Sequence, residues 1–299
     1  LFMQGGASQQ FAMVPMNLLG AGTLSTYIIT GAWSKAAAKE ALRFGRVQSA
    51  FSGSGNRIPA DEELEVIPET SYCAYCDNET IHGIEFERVP VLKDAEAVPL
   101  VADMTSNFLT RPVEVNKFGL FYASAQKNLG IAGLAVIVLR RDLLGLAGTE
   151  VPTLLNYSVY SRTDSVPNTP PVFQLYVANL MAQWIEAHGG VAVMDEYARA
   201  RAKIVYDAID AMPEMYVSHV ERESRSRVNA VFRLKDEALT ALFVKEAAEA
   251  GLANLAGHRA VGGIRASMYN AMPIEGVQKL ADFMKTFAHR HGRTQLAVN

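Results

Sequence analysis

From Leu1 to about Arg141 the chain alternates short β-rich apolar runs with stretches of helical periodicity, and this order restricts the fold more than any other property. The runs are Leu1 to Gln4, Thr26 to Thr30, Arg46 to Phe51, Ser71 to Cys76, Leu100 to Asp103, Leu120 to Ala123 and Leu134 to Leu139. Strands interleaved with helices form a mostly parallel sheet covered by helices, an α/β architecture. Helices are expected over Ser8 to Leu18 and Ser34 to Phe44. In the first, Phe11, Val14 and Leu18 share one stripe, which suits burial against the sheet.

The character changes after Arg141. Val151 to Pro171 is rich in Pro, Asn, Ser and Thr and reads as an irregular excursion. A long helix is expected from Val172 to Ala187, stopped by Gly189-Gly190, and another from Val191 to Ala211. Strands at Met215 to His219 and Asn229 to Leu234, a helix at Glu237 to Ala250, a strand at Ile264 to Tyr269 and a last helix at Glu275 to His289 follow. That order suits a small α+β unit, so residues 1–187 are expected to form a large domain and 188–299 a smaller one. No internal repeats or low-complexity segments interrupt it.

With 299 residues, 49% of them hydrophobic and 20% charged, the chain can bury a sizeable core. Its net charge of −3 is small and its basic residues are scattered, which offers nucleic acid or an anionic membrane nothing to hold. No apolar run approaches the ~18 residues of a membrane span, and no charged-then-apolar leader precedes a cleavage site, so a cytosolic location is expected. Cys73-Ala74-Tyr75-Cys76 has a redox or zinc spacing. On a strand, however, residues three apart point to opposite faces, and no second Cys or His pair completes a tetrahedral site. Two partly buried thiols in a reducing compartment, and no metal, are expected.

Chemistry gathers where strands end. Lys127, in Ser124-Ala125-Gln126-Lys127-Asn128-Leu129-Gly130, follows one strand, and Asp103 closes another. Singly, these are a snorkelling lysine and a loop or cap aspartate. Together they suggest pyridoxal phosphate, whose aldehyde a lysine holds covalently while an acid on the pyridine nitrogen keeps the ring an electron sink. Gly5-Gly6-Ala7-Ser8 joins a strand to a helix, where backbone N–H groups can approach a phosphate, although a plain turn capped by Ser8 has the same sequence. Neither the dinucleotide fingerprint nor the P-loop spacing is present. Trp33 can stack on a flat ring or sit in the core. The Thr80 hydroxyl, in Asp77-Asn78-Glu79-Thr80, can bond a ring oxygen or belong to a turn. Gly6-Ala7, Trp33, Thr80, Asp103 and Lys127 all lie just past strand ends, the edge where parallel sheets collect ligands.

Several blocks carry a resemblance: Leu1 to Phe11, Thr30-Gly31-Ala32-Trp33-Ser34-Lys35, Asp103-Met104-Thr105-Ser106-Asn107-Phe108, Ala125-Gln126-Lys127-Asn128-Leu129-Gly130, Asn168-Thr169-Pro170-Pro171 and Gly262-Gly263-Ile264-Arg265-Ala266-Ser267-Met268-Tyr269-Asn270. The chain resembles the phosphoserine aminotransferase family, class V aminotransferases of fold type I, over essentially its whole length. The resemblance implies a homodimer that transfers an amino group from glutamate to 3-phosphohydroxypyruvate, giving O-phosphoserine and 2-oxoglutarate. By position it makes Lys127 the cofactor lysine and Asp103 the partner of the ring nitrogen, with Trp33 on the ring face and Thr80 near the phenolic oxygen. Ala7, Ser8 and Gln126 would bind the cofactor phosphate, joined by Asn168 and Thr169 of the partner subunit. His258, Arg259 and Arg265 would hold the substrate phosphate and carboxylate, a task suited to bidentate guanidinium donors. Family members carry a further N-terminal segment with a Ser-His-Arg motif that helps bind substrate, and this sequence enters after it. A serine–glyoxylate type relative would share the cofactor residues without needing the arginine set. A clipped, cofactor-free chain would share the fold alone, and a side activity in vitamin B6 synthesis is compatible with the same residues.

Overall fold

Central strands of a covered sheet are buried on both faces, so they are near-continuous apolar runs rather than alternating ones. The seven runs before Arg141 build one such sheet in a computed structural model that describes residues 1–20 and 22–292. Its strands are β1 (Phe2–Gly5), β2 (Leu24–Ile29), β3 (Arg46–Ser52), β4 (Cys73–Cys76), β7 (Leu100–Asp103), β8 (Leu120–Ser124) and β9 (Gly133–Leu139). Two short strands, β5 (Asn78–Glu79) and β6 (Ile84–Glu85), form a separate hairpin. The sheet order is β1-β9-β8-β7-β4-β2-β3, and β4, β7 and β8 are buried along their whole length.

The pairing fixes one functional edge. β2, β3, β4, β7 and β8 are mutually parallel, while β9 is antiparallel to both β8 and β1. Hence β1 runs with the parallel set and β9 alone is reversed. The carboxyl ends of β1, β2, β4, β7 and β8 therefore share an edge. Alternation along the strands divides the packing: Tyr27, Ala74, Val101 and Tyr122 join Phe11, Val14 and Leu18 of helix α1 (Ala7–Leu18) in one core. Their neighbours Ile28, Tyr75, Ala102 and Phe121 enter another. Helix α2 (Ala32–Ala41) contributes Ala38 and Ala41 to the first.

Downstream lie α3 (Tyr157–Arg162), α4 (Val172–Ala187), α5 (Gly190–Asp210), α6 (Thr240–Glu249) and α7 (Ile274–His291). An antiparallel sheet of β10 (Tyr216–Val217), β11 (Asn229–Leu234) and β12 (Ile264–Ser267) packs with α5, α6 and α7 around Phe232, Phe243, Met284 and Phe287 in a core of its own. Between α4 and α5, Gly189 and Gly190 have φ of +94° and +78°, a left-handed corner that explains why two glycines separate these helices.

The excursion expected from Val151 to Pro171 contains α3. Asn156 caps that helix by accepting Ser158 N–H at 2.9 Å, and Tyr157 is buried, its hydroxyl donating to Gln10 at 2.7 Å. A polar composition hid a helix that is held by tertiary burial. The two cysteines are free and fully rather than partly buried, Cys73 in the sheet core and Cys76 at the functional edge. No described helix is long and apolar enough to cross a membrane.

Candidate active site

The five strand ends converge on a cavity of about 260 Å³, lined by Gly6, Ala7, Ser8, Trp33, Asn78, Asp103, Thr105, Gln126 and Lys127 among others. It lies near the lower end of ligand-pocket sizes, which run from ~300 Å³ upward, and it holds an amine and a carboxylate together. Asp103 and Lys127 share it because β7 and β8 are parallel neighbours, with Asp103 paired to Tyr122 two residues before β8 ends.

Asp103 is 8% exposed and is backed by Thr105, whose N–H donates to Oδ1 at 2.9 Å. Burial pushes its carboxyl up from the ordinary range. The Thr105 hydrogen bonds and the Lys127 amine pull the other way, while Asp77 adds to the rise. A cation on the cavity side would relieve that burden. Lys127 is half-buried, and its loop is pinned by the next residue: Asn128 donates to Phe108 O at 3.0 Å and Thr110 Oγ1 at 2.8 Å, and accepts Asn270 N–H at 3.0 Å. Gln126 is tied to the strand end by a short hydrogen bond from Ser124 Oγ.

Helix α1 begins at the cavity with Gly6 as a cap that has no side chain to offer, and its first turn holds no acid. The N–H groups of Ala7 and Ser8 are thus left for an anion. Trp33 opens α2 on the cavity wall, its indole N–H donating to Thr80 Oγ1 at 3.0 Å. Thr80 is not among the lining residues; its hydroxyl holds Trp33.

The other expected residues lie elsewhere. Asn168 and Thr169 are exposed, in the stretch before α4, where Gln4 Nε2 donates to Thr169 O at 2.5 Å. His258 opens a turn in which its carbonyl accepts Val261 and Gly262 N–H, and its Nδ1 accepts Ala260 N–H at 3.2 Å. Arg259 is exposed in the same turn, and Arg265 sits on β12 opposite Val231. None of these five lines the cavity. Cys76, Asn78 and Thr105 do, and the residues alone did not single them out. The signal was available: each ends, or follows, a strand of the parallel set.

The family model for Aminotransferase class-V matches residues 1–280. The phosphoserine aminotransferase of Chromobacterium violaceum is 46% identical over 295 residues, covering 98% of this chain and 81% of that one. Among solved structures, the phosphoserine aminotransferase of Bacillus circulans subsp. alkalophilus superposes with a TM-score of 0.94 at 42% identity, covering 98% of this chain and 81% of that chain. The pyridoxal phosphate-bound enzyme from Trichomonas vaginalis gives 0.89 at 40% identity, covering 95% and 81%.

Proposed function

We infer that this chain, which belongs to the class-V aminotransferases and within them to the phosphoserine aminotransferase family, converts 3-phosphohydroxypyruvate and L-glutamate to O-phospho-L-serine and 2-oxoglutarate with pyridoxal phosphate. The observation that carries the reading is the meeting of Lys127, Asp103, Trp33 and the open N-terminus of α1 around one cavity. Those donors fit the cofactor: an amine for the aldehyde, an acid for the ring nitrogen, an indole for the ring face and N–H groups for the phosphate. The bound cofactor supplies an electron sink that acidifies the hydrogen on the amino-bearing carbon and carries nitrogen between the two half-reactions.

The protein's own residues do the rest. Lys127 Nζ, in its neutral form, takes that hydrogen as a proton and later returns it, a general base held in place by the pinned loop. Asp103, steadied by Thr105, keeps a proton on the ring nitrogen by opposing its charge. Ala7, Ser8 and Gln126 would bind the cofactor phosphate and Trp33 would cover one ring face, with Thr80 acting through the indole it holds. His258, Arg259 and Arg265 receive the substrate's phosphate and carboxylate.

The working form is a homodimer of two-domain chains, residues 1–187 and 188–299, in the cytoplasm. Support for the dimer comes from α4, where Val172, Phe173, Tyr176 and Leu180 expose large apolar side chains on a helix whose Ala178 and Ile185 are buried. Asn168 and Thr169, just before that helix, would then complete the phosphate site of the partner subunit.

Purified chain supplied with pyridoxal phosphate, glutamate and 3-phosphohydroxypyruvate should release 2-oxoglutarate, and in reverse should accept phosphoserine far better than serine. Lys127→Ala should abolish both turnover and the visible absorbance of covalently bound cofactor. Equal use of serine would sink the substrate assignment; full activity without Lys127 would sink the mechanism.

A further inference from the structure

Glu79 is 1% exposed, at the end of β5, and among the described residues no arginine or lysine pairs with it. Its carboxylate instead faces α2. Oε2 accepts Trp33 N–H at 2.9 Å, while Oε1 accepts Ser34 N–H at 2.8 Å and the Ser34 hydroxyl at 2.6 Å. Ser34 Oγ itself accepts the N–H groups of Thr30 and Gly31, each at 3.1 Å, and of the two acceptors within reach of its single proton Glu79 Oε1 at 2.6 Å is much nearer than Gly31 O at 3.3 Å. The next residue, Thr80, takes the indole N–H. One dipeptide therefore grips Trp33 at both its backbone and its ring. Room for the grip is provided in the sequence: a Cβ on Gly31 would lie 2.6 Å from Glu79 Cδ, and the Gly31 φ of −167° is open to any residue, so glycine stands there for space.

We propose that Glu79 is a positioning residue which sets Trp33 as the wall of the cofactor cavity by clamping the first turn of α2. The proposal rests on the reading that Trp33 stacks on pyridoxal phosphate. A carboxylate suits the task because three donors meet two oxygens that carry no hydrogen, at the positive end of a helix. Burial pushes the Glu79 carboxyl up, the bonds from Ser34 and Trp33 oppose that rise, and the nearby Asp103 adds to it. Glutamine has the same shape but must turn an NH₂ toward the N–H of Trp33 or of Ser34, donor against donor.

Trp33 and Trp184 are the two tryptophans of the sequence, so a Trp184→Phe chain reports on Trp33 alone. Cofactor-free protein in that background is titrated with pyridoxal phosphate while Trp33 emission is followed, and acrylamide quenching is measured before any cofactor is added. Quenching of the parent by cofactor is expected. Glu79→Gln should leave the far-UV spectrum intact, raise acrylamide access to Trp33 about twofold and weaken cofactor binding about tenfold, as for the loss of a hydrogen bond to a charged group. Gly31→Ala, which displaces the carboxylate without altering it, should move both readouts the same way, and it decides the matter if Glu79→Gln does not fold. Parental acrylamide access and cofactor affinity in a folded variant overturn the proposal. Absence of quenching in the parent overturns the stacking reading, and this proposal with it.

Discussion

Asp103→Asn should make the cofactor-free chain more stable and the cofactor-bound chain less stable. The carboxylate is 8% exposed, has Thr105 as its hydrogen-bonding neighbour, and is pushed up by burial. Asparagine keeps an oxygen for the Thr105 N–H and removes the buried charge, a change worth about 1 kcal/mol, or about 2 °C in Tm for a chain of this size. In the bound state the variant loses a charge-assisted contact with the ring nitrogen, on the order of 2 kcal/mol, so the cofactor binds ~30-fold more weakly. With cofactor at a hundred times the parental Kd, linkage stabilises the parent by ~2.7 kcal/mol and the variant by only ~0.9 kcal/mol. The order of melting should therefore reverse on adding cofactor. Acidity adds a second check. A carboxyl whose folded-state pKa is raised favours the fold below its ordinary pKa, and loses that contribution as pH rises through the raised value. The cofactor-free variant's advantage should accordingly grow as pH climbs through that window and vanish well below it. Paired thermal melts with and without pyridoxal phosphate, at several pH values, test all of this. A cofactor-free variant that melts below its parent would refute the account of Asp103 as a strained, waiting acid.

Two further outcomes concern the scaffold. Arg227→Ala should destabilise the fold by about 3–5 kcal/mol in urea titrations, because Arg227 is 6% exposed and meets the fully buried Glu85 at 3.2 Å and Asp195 at 2.7 Å; a loss below about 1 kcal/mol would argue against it. Phe173→Asp or Tyr176→Asp on the exposed face of α4 should convert dimer to monomer in sedimentation velocity and lower cofactor affinity in parallel, whereas an unchanged sedimentation coefficient would remove α4 from the interface.

That Lys127 and Asp103 share a cavity was legible because Asp103 closes an apolar run, Lys127 lies three residues past the end of β8, and a parallel sheet sends all such ends to one edge. The limits of α4, Val172–Ala187, and of β11, Asn229–Leu234, match the expectation because prolines, glycines and apolar content agree locally. Other features depend on distant partners. Nothing near Glu79 says that it caps a helix 46 residues earlier, and Thr80 looks like a turn residue until Trp33 is placed against it. Helix α3 needs Gln10 and Asn17 of α1 as partners for Tyr157, which no local window contains. His258, Arg259 and Arg265 came from the family resemblance alone. Their segment has the composition of an ordinary loop and edge strand, and a single chain sets them apart from the cavity.

The reversed direction of β9 has a mechanical consequence. The chain passes from β8 to β9 through a hairpin instead of a crossover, so the loop bearing Lys127 is zipped at its base, where Ser124 pairs with Ala135 and Ala125 N–H donates to Leu134 O at 2.9 Å. The base of that loop is consequently clamped by ladder hydrogen bonds, and movement of the amine is left to the rotatable bonds of the Lys127 side chain.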